Sequence, residues 1–285
     1  MQGPQSTNPL NTIAIADPAD ARLAPYRQLR ENRLARPTPD APHGTFIAEG
    51  EKVVRRFAEG ASRFGLHSVL LAAVRLERDR SWLERLPEGT PIYLAERPVM
   101  DAIVGFPIHR GVLAAGLRVP DPPIADLLAQ SETVLVLEGL ANHDNVGGIF
   151  RAAAALAGKP LILLDPTSCD PLYRKAIRVS MGHALAVPFA RIDDLPAGLG
   201  VLADGGFETF ALGLHPDAER LDEWRPRSHR VAWLLGAEGP GLTDAAIAAA
   251  QRVVRIDMEP GVDSLNVVTA AAIALHGTRS ARQRP

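Results

Sequence analysis

Three short apolar runs in the second half of the chain each lead into a loop of glycines and polar side chains. The runs cover residues 134–137, 231–235 and 253–256, and each loop is followed by a segment with helical periodicity. This alternation predicts buried strands and helices, the pattern of a parallel α/β sheet. Because open α/β sheets bind ligands at the carboxyl ends of their strands, we expect the three loops to converge on one site.

The loop after the last run, residues 256–267, has the most unusual composition. Asp263, Ser264 and Asn266 stand beside the apolar side chain of Leu265, directly before an alanine-rich helical segment. The first turn of a helix exposes backbone N–H groups that need acceptors. These residues alone leave two interpretations open, a plain helix cap formed by Ser264 or a site for a polar ligand.

The other two loops combine glycine with functional side chains. Residues 234–242 place three glycines around Glu238, and residues 142–151 place Asn145 and Arg151 at the start of a helical pattern. Glycine lets the backbone approach a ligand closely and adopts turn conformations that other residues avoid. Taken alone, each glycine cluster is equally typical of ordinary turns.

The cysteine and histidine content excludes several kinds of site. Cys169 is the only cysteine, so neither an intrachain disulfide nor a cysteine-based metal site can form, and we interpret it as a passive loop residue. The eight histidines lack metal-ligand spacing. No apolar run is long enough to cross a membrane, and residues 1–9 do not resemble a secretory signal. We therefore expect a cytoplasmic protein without a metal or a membrane partner.

The three loops resemble, in order and spacing, the signature motifs of the SpoU (TrmH-type) branch of the SPOUT methyltransferases. Members of that family use S-adenosylmethionine to methylate ribose 2′-hydroxyl groups in RNA. The resemblance covers residues 127–277. The matching residues are Asn145, Gly147 and Arg151 for the first motif, Gly236, Glu238 and Gly241 for the second, residues 264–267 for the third, and residues 178–182 for a weaker fourth element.

The resemblance assigns the methyl donor to the second and third loops and the RNA ribose to the first. The implied donor-contact residues are Leu235, Gly236, Glu238, Gly239, Gly241, Ile256, Met258, Ser264, Leu265 and Asn266. The implied catalytic residues are Arg151, Asn145, Glu238, Ser264 and Asn266. Arg151 remains protonated under ordinary conditions, so we expect it to hold a phosphate and to stabilise the developing alkoxide. Glu238 is expected to orient Arg151 or Asn145.

The same resemblance predicts an α/β fold whose C-terminal parallel-sheet SPOUT domain contains a trefoil knot, with its last segment tucked through a loop. Pattern alone predicts an unknotted, doubly wound sheet, because knots are nearly absent among folds. Relatives assemble each active site beside a second copy, so we expect a homodimer. The alanine-rich segments 152–157 and 269–275 suit helices packed on two sides, which fits both a dimer and a buried helix of a monomer.

The first 120 residues differ from the remainder in charge. They carry 16 Lys and Arg against 13 Asp and Glu, a net charge of +3, whereas the remainder carries 15 against 20, a net charge of −5. Five arginines recur every three to five residues between Arg22 and Arg36, around a predicted helix over residues 26–34. This strip fits either a solvated surface or a contact with RNA phosphates.

We predict four regions along the chain. They are a flexible tail at 1–18, a small α/β RNA substrate-binding domain at 19–118, a proline-rich linker at 119–126 and the SPOUT methyltransferase domain at 127–285. The small domain resembles certain ribosomal proteins that bind kinked RNA. Within the SPOUT domain, further strands are predicted at 161–164, 184–188, 201–203 and 209–212.

Several alternative functions can be compared with these residues. A dinucleotide-dependent oxidoreductase or a common Rossmann methyltransferase needs a Gly-x-Gly after its first strand, and residues 138–148 contain none. A non-catalytic RNA-binding protein on the same fold would not need the five polar motif residues together. Among RNA substrates, the additional N-terminal domain favours ribosomal RNA over transfer RNA, by analogy alone.

Overall fold

Two sheets organise the residues that the computed structural model describes, which are 10–27, 34–60, 62–105, 111–262 and 264–283. One compact unit consists of Met1–Pro120 and Leu172–Ala186, and the other consists of Asp121–Pro171 and Val187–Pro285. The chain thus passes from one unit to the other three times. Leu172–Ala186, which the sequence assigned to the C-terminal domain, belongs by its contacts to the N-terminal unit.

Strands and helices alternate along most of the described chain. The strands are β1 (Thr12–Ile15), β2 (Thr45–Glu49), β3 (Gly65–Ala72), β4 (Ile92–Ala95), β5 (Val112–Leu117), β6 (Thr133–Leu137), β7 (Pro160–Leu164), β8 (Phe189–Arg191), β9 (Glu208–Leu212), β10 (Glu219–Arg220), β11 (Val231–Leu235) and β12 (Arg252–Arg255). The α-helices are α1 (Glu51–Glu59), α2 (Leu76–Leu83), α3 (Arg97–Val104), α4 (Ile124–Ala129), α5 (His143–Leu156), α6 (Arg174–Val179), α7 (Leu195–Asp204), α8 (Asp244–Ala249) and α9 (Val267–Gln283). Short 3₁₀ helices cover Ala21–Tyr26, Ala73–Arg75 and His183–Leu185.

The first unit contains a mixed sheet with the strand order β1-β4-β3-β5-β2 among its described residues. Strand β5 runs antiparallel to β2 and β3, whereas β4 runs parallel to β1 and β3. Tyr26 is buried in the core of this unit, where its hydroxyl lies 2.8 Å from Ser68 Oγ and accepts from the N–H of Ala115 at 3.2 Å. These bonds satisfy a buried polar group and tie the first 3₁₀ helix to two strands.

The predicted flexible tail is wrong for residues 12–15, which form β1. All four residues pair in parallel with β4, and Ile15 is buried. A short edge strand leaves little signal in the sequence, because its pairing with a neighbouring strand decides its conformation. Residues 1–9 lie outside the described residues. So do residues 28–33 of the predicted helix, and its described beginning belongs to the 3₁₀ helix Ala21–Tyr26.

The second unit contains a parallel sheet with the order β10-β12-β9-β11-β6-β7-β8 among the residues described. Every residue of β6 and β11 is buried, as expected for apolar strands covered on both faces. From β6 the chain proceeds outward through β7 and β8, and it then crosses to β9. Because the strand order reverses between β6 and β11, the loops after these strands lie where open α/β sheets bind ligands.

Two predicted strands are wrong. Residues 201–203 lie inside α7, whose first turn is capped by Asp194 Oδ1, which accepts from the N–H of Ala197 at 3.1 Å. The predicted strand at 184–188 overlaps a 3₁₀ helix, and β8 begins only at Phe189. A short apolar run fits a buried helix as well as a strand. For α7, the capping aspartate and the proline in the first turn are the signals that identify a helix.

Helices α5 and α9 pack closely against each other. A Cβ atom at Gly148 would lie 2.7 Å from Val268 Cγ2, so only glycine allows this approach. Helix α9 is also tied to the sheet, because Trp233 Nε1 donates to Thr278 Oγ1 at 2.9 Å in the core. These contacts bring the start of α9 to α5, and with it the third motif to the first.

Candidate functional site

The loop after β11, residues 236–242, closes tightly on itself. The N–H of Gly241 donates to the carbonyl of Ala237 at 3.0 Å, and a Cβ atom at Gly236 would lie 2.2 Å from the Gly241 carbonyl carbon. Gly239 and Gly241 have φ angles of +91° and +72°, in the left-handed region that favours glycine. The loop conformation therefore requires its glycines, and it leaves Glu238 exposed.

A cavity of about 800 Å³ lies beside this loop. Its walls come from the loops after β9, β11 and β12 and from the first turn of α9. The second and third motif loops therefore converge, as the strand pattern predicts. All ten predicted donor-contact residues line the cavity, namely Leu235, Gly236, Glu238, Gly239, Gly241, Ile256, Met258, Ser264, Leu265 and Asn266.

Asn266 connects the three motifs through its side chain. Its Nδ2 donates to Asn145 Oδ1 at 3.1 Å and to Glu238 Oε1 at 3.0 Å. Its Oδ1 accepts from the N–H of Val268 at 2.9 Å, which caps α9. The cap therefore comes from Asn266, whereas the plain-cap interpretation gave it to Ser264. Asp263, the other polar residue singled out in this loop, lies outside the described residues.

Arg151 lies on the exposed side of α5. It follows Asn145 by six residues, and since each residue turns an α-helix by about 100°, the two side chains point about 120° apart. Arg151 does not line the cavity, and Glu238 contacts Asn266 instead of Arg151. Within the described parts of the chain, no side chain forms a hydrogen bond or an ion pair with Arg151. The structure thus joins Asn145, Glu238 and Asn266 but separates Arg151 from them.

One wall of the cavity comes from a loop outside the three motifs, residues 213–215 after β9. Leu214 is 60% exposed and Leu265 is 39% exposed, and both line the cavity. Exposed apolar side chains at a cavity suit the apolar part of a ligand. The sequence carried a signal for this wall, because the loop follows the predicted strand 209–212, and loops at strand ends are where ligands bind.

The loop after β7 supports the loop after β6. Asp165 Oδ1 accepts from the N–H groups of Gly139 at 3.1 Å and Ser168 at 2.8 Å. Ser168 Oγ in turn accepts from the N–H of Leu140 at 3.0 Å. Burial alone would raise the pKa of Asp165, but the hydrogen bonds from Ser168, Thr167 and Gly139 outweigh it and hold that pKa below its usual value. The ionised carboxylate is a fixed support for the segment that leads into α5.

Cys169 lies in the same loop after β7. Burial raises the pKa of its thiol to about 11, so the thiol is protonated at neutral pH. The thiolate is the reactive form of cysteine, and this environment disfavours it. The backbone N–H of Cys169 donates to the carbonyl of Leu140 at 2.9 Å. These observations favour the interpretation of Cys169 as a passive loop residue.

The weaker fourth element, residues 178–182, lies in the N-terminal unit. Ser180 is buried, and its Oγ donates to the carbonyl of Ile177 at 2.9 Å and accepts from the N–H of Ala184 at 3.2 Å. Gly182 follows with a φ angle of +82°. These residues do not line the cavity, and they build the turn after α6.

Two further kinds of feature, metal sites and membrane-spanning helices, concern the described residues. No group of three His, Cys, Asp or Glu side chains there could hold a metal ion, and none of the described helices has the length and apolarity needed to cross a membrane. The metal-free site and the cytoplasmic location expected from the sequence stay predictions.

Known proteins match this chain in sequence, and the region of the motif loops matches a family model. A sequence model of the SpoU rRNA Methylase family matches residues 132–276, which contain the three motif loops. An uncharacterized tRNA/rRNA methyltransferase of Mycobacterium bovis is 45% identical over 277 residues, covering 95% of this chain and 93% of that protein. The 23S rRNA (guanosine-2′-O-)-methyltransferase RlmB of Photorhabdus laumondii is 29% identical over 201 residues, covering 69% of this chain and 80% of that protein.

A solved structure matches nearly the whole chain. The AdoMet-bound rRNA methyltransferase from Sinorhizobium meliloti superposes with a TM-score of 0.73 at 20% sequence identity, covering 95% of this chain and 98% of that one. At this identity the likeness concerns the fold. The α/β fold with a parallel sheet expected from the sequence is therefore confirmed.

Proposed function

The chain belongs to the SpoU rRNA methylase family, and from this premise we propose that it methylates a ribose 2′-hydroxyl group of RNA with S-adenosylmethionine as the donor. The observation that carries the proposal is the bridge by which Asn266 joins Asn145 to Glu238 at the cavity. Methyl transfer needs the methyl donor and the ribose oxygen to be held in line. A hydrogen-bonded group of side chains that spans three motifs can hold them.

The cavity suits S-adenosylmethionine in size and chemistry. Its volume of about 800 Å³ lies within the range typical of small-molecule sites. Leu214, Leu265 and Met258 would face the adenine, and the glycine loop 236–242 offers backbone groups to its polar edges. The donor carries its methyl group on a positively charged sulfur, and the carboxylate of Glu238 at the cavity favours a positive charge there.

Arg151 is proposed to act on the RNA. Its guanidinium remains protonated and presents a planar pair of N–H donors that matches a phosphate group. The same charge stabilises negative charge on the ribose oxygen as its proton leaves. Asn145 and Glu238, which Asn266 fixes at the cavity, would position the ribose and the donor relative to each other.

We further propose that the protein acts as a homodimer in which Arg151 of one copy completes the cavity of the other. Arg151 is exposed, and in a single chain it lies away from the cavity. On α9, Thr269, Ile273 and His276 are exposed at helical spacing, with Ile273 37% exposed. Such a stripe suits the self-complementary contact of a two-fold dimer.

The N-terminal unit is proposed to bind the RNA. Met1–Pro120 with Leu172–Ala186 carries 19 Lys and Arg against 13 Asp and Glu, a net charge of +6, and the other unit carries 12 against 20, a net charge of −8. Phosphate contacts dominate nucleic-acid affinity, so RNA is expected on the basic unit. The name of the Photorhabdus laumondii relative supports ribosomal RNA, and that of the Mycobacterium bovis relative keeps transfer RNA as the alternative.

The trefoil knot is part of the same proposal. The chain path supports it, because Ile256, Met258 and residues 264–266 line the cavity beside the loop 236–242 before α9 begins. Helix α9 then packs against α5, the helix of the first motif. A knotted path would hold the third motif in place from both sides.

Transfer of a labelled methyl group from S-adenosylmethionine to RNA tests the function. The purified protein is incubated with ribosomal RNA or transfer RNA, and the nucleosides are then analysed for 2′-O-methylribose. We expect label in 2′-O-methyl nucleosides of ribosomal RNA. Label on a base would refute the ribose assignment, and label in transfer RNA alone would select the alternative substrate. RNA binding without transfer would identify a non-catalytic RNA-binding protein.

A further inference from the structure

Glu138, the residue directly after β6, holds both ends of the loop 236–242. Its backbone N–H donates to the carbonyl of Leu235 at 3.0 Å, where the loop begins. Its side chain holds the other end, because Oε2 accepts from the N–H of Thr243 at 2.9 Å and Oε1 accepts from Thr243 Oγ1 at 2.8 Å. We propose that Glu138 is a positioning residue for the methyl donor, since it fixes one wall of the cavity. This inference rests on the proposed function.

The loop needs such a clamp because of its composition. Gly236, Gly239 and Gly241 allow the tight turn, but glycine also leaves the unbound loop many other conformations. Besides the clamp, the loop has an internal backbone bond from Gly241 to Ala237. Fixing a loop in its binding conformation before the ligand arrives lowers the entropy lost on binding.

Thr243 links the clamp to a helix. Its Oγ1 donates to Glu138 and accepts from the N–H of Ala246 at 3.2 Å, which caps α8. One hydroxyl thus fixes the end of the loop to both β6 and α8. Glu138 itself does not line the cavity, so it acts through Thr243 and the loop and not by touching the donor.

The backbone next to Glu138 is also held from the other side. The N–H of Gly139 donates to Asp165 Oδ1 at 3.1 Å, and the N–H of Leu140 donates to Ser168 Oγ at 3.0 Å. Glu138 therefore stands on a support fixed by one part-buried and one buried hydrogen bond, as an effective positioning residue requires.

Substitutions at both ends of the clamp test the proposal. Glu138→Ala removes the carboxylate, and Thr243→Val removes the hydroxyl, while Thr243→Ser keeps it. Hydrogen bonds to charged groups contribute enough that we expect Glu138→Ala to raise the Kd of S-adenosylmethionine about tenfold or more. The KM for RNA should stay within about twofold, because the clamp holds the loop that lines the donor cavity and neither Glu138 nor Thr243 belongs to the basic unit. Thr243→Ser should bind the donor like the natural protein.

Amide hydrogen exchange over residues 236–243, measured without any ligand, gives a readout independent of donor binding. We expect faster exchange in Glu138→Ala and Thr243→Val and natural exchange in Thr243→Ser. Asp194→Ala is the matched control, because Asp194 caps α7 with a carboxylate but does not line the cavity. It should lower the Tm and leave both the donor Kd and the exchange of this loop unchanged.

The outcomes separate the clamp from the proposed function. If the natural protein binds no S-adenosylmethionine, the proposed function fails, while hydrogen exchange still decides whether Glu138 holds the loop. If Glu138→Ala changes neither the loop exchange nor the donor Kd, the clamp is refuted. If Glu138→Ala does not fold, two other variants test the clamp by the same measurements. They are Glu138→Gln, which keeps the side-chain size and one acceptor, and Thr243→Val.

Discussion

Helix α5 presents two chemically different faces. On one face Asn145 is buried to 6% exposure and accepts from Asn266, which also contacts Glu238. On another, Arg151 is exposed, and the described residues offer it neither a hydrogen bond nor an ion pair. The polar group beside the donor cavity is thus complete within one chain. Arg151, which we propose contacts RNA, points outward, and this suits a target outside its own chain.

Replacing Arg151 is the most direct test of this difference between the two faces of α5. Because Arg151 is assigned to the RNA and not to the donor, Arg151→Ala should lower the rate of methyl transfer about a hundredfold or more and leave the donor Kd nearly unchanged. Single-turnover assays and calorimetry measure the two quantities. A near-normal rate would remove Arg151 from the mechanism.

Arg151→Lys sharpens the same test, because lysine keeps the charge but lacks the planar pair of donors. A recovered rate would show that charge alone suffices. Lys159→Ala is the control, since it removes another exposed cation of the same unit that is engaged in an ion pair with Glu132. Loss of such a surface pair changes stability by less than about 1 kcal/mol and should leave the rate unchanged.

A mixing experiment tests whether the exposed face of α5 serves a second copy. Gly236→Val should block the donor loop, because even a Cβ atom at Gly236 meets the backbone of Gly241. If Arg151 acts across a two-fold dimer, mixing equal amounts of inactive Arg151→Ala and Gly236→Val chains should restore about a quarter of the natural activity. The reason is that half of the dimers are mixed, and each mixed dimer has one intact site.

No recovery after exchange of subunits would show that Arg151 acts within its own chain. The exchange itself is checked by mixing two differently tagged forms of the natural protein and isolating the mixed dimer. Light scattering that gives a monomer at micromolar concentration would refute the dimer independently.

The convergence of the second and third motif loops on one cavity could be predicted from the sequence, because the residues concerned lie in short loops at strand ends. Strand register fixes where such loops meet, so the sequence pattern already places Gly236, Glu238 and Asn266 together. The position of Arg151 could not be read in the same way. Its distance from Asn145 along the chain implies one helix, but which face meets the cavity depends on how the sheet and α9 pack against α5.

Other features depended on tertiary contacts that leave little local signal. Strand β1 consists of four residues beside prolines, and its pairing with β4 is what makes it a strand. Leu172–Ala186 joins the N-terminal unit through buried residues of α6, although its sequence pattern continues that of the C-terminal domain. The clamp by Glu138 was equally hidden, because Thr243 is distant from it in sequence.

The packed side of α5 gives a prediction of stability. A methyl group at Gly148 would meet Val268 at less than van der Waals distance, so Gly148→Ala should lower the free energy of unfolding by about 1–3 kcal/mol. Adding Val268→Ala makes room and should recover part of that loss, which a double-mutant cycle measures. Additive effects in the cycle would show that the two side chains do not meet.

The smallest expected effects concern the N-terminal unit. A shortened chain that begins at Pro123 would be a poor test of RNA binding. Without the first 122 residues it would expose Ala176 and Ile177, which are buried in the N-terminal unit. Point substitutions at the exposed cations Arg36 and Lys52 avoid this problem.

If Arg36 and Lys52 each contact one phosphate, either alanine substitution should lower the slope of log Kd for RNA against log salt by about 0.7–0.9 and weaken RNA binding a few-fold. The donor Kd should not change, because neither residue lines the cavity. Lys159→Ala serves again as the control, since it removes one cation from the acidic unit. Equal slopes for all three variants and the natural protein would count against the basic unit as the RNA-binding surface. Equal losses of RNA affinity in all three variants would mean that RNA contacts both units. The proposal that the basic unit alone binds RNA would then be wrong.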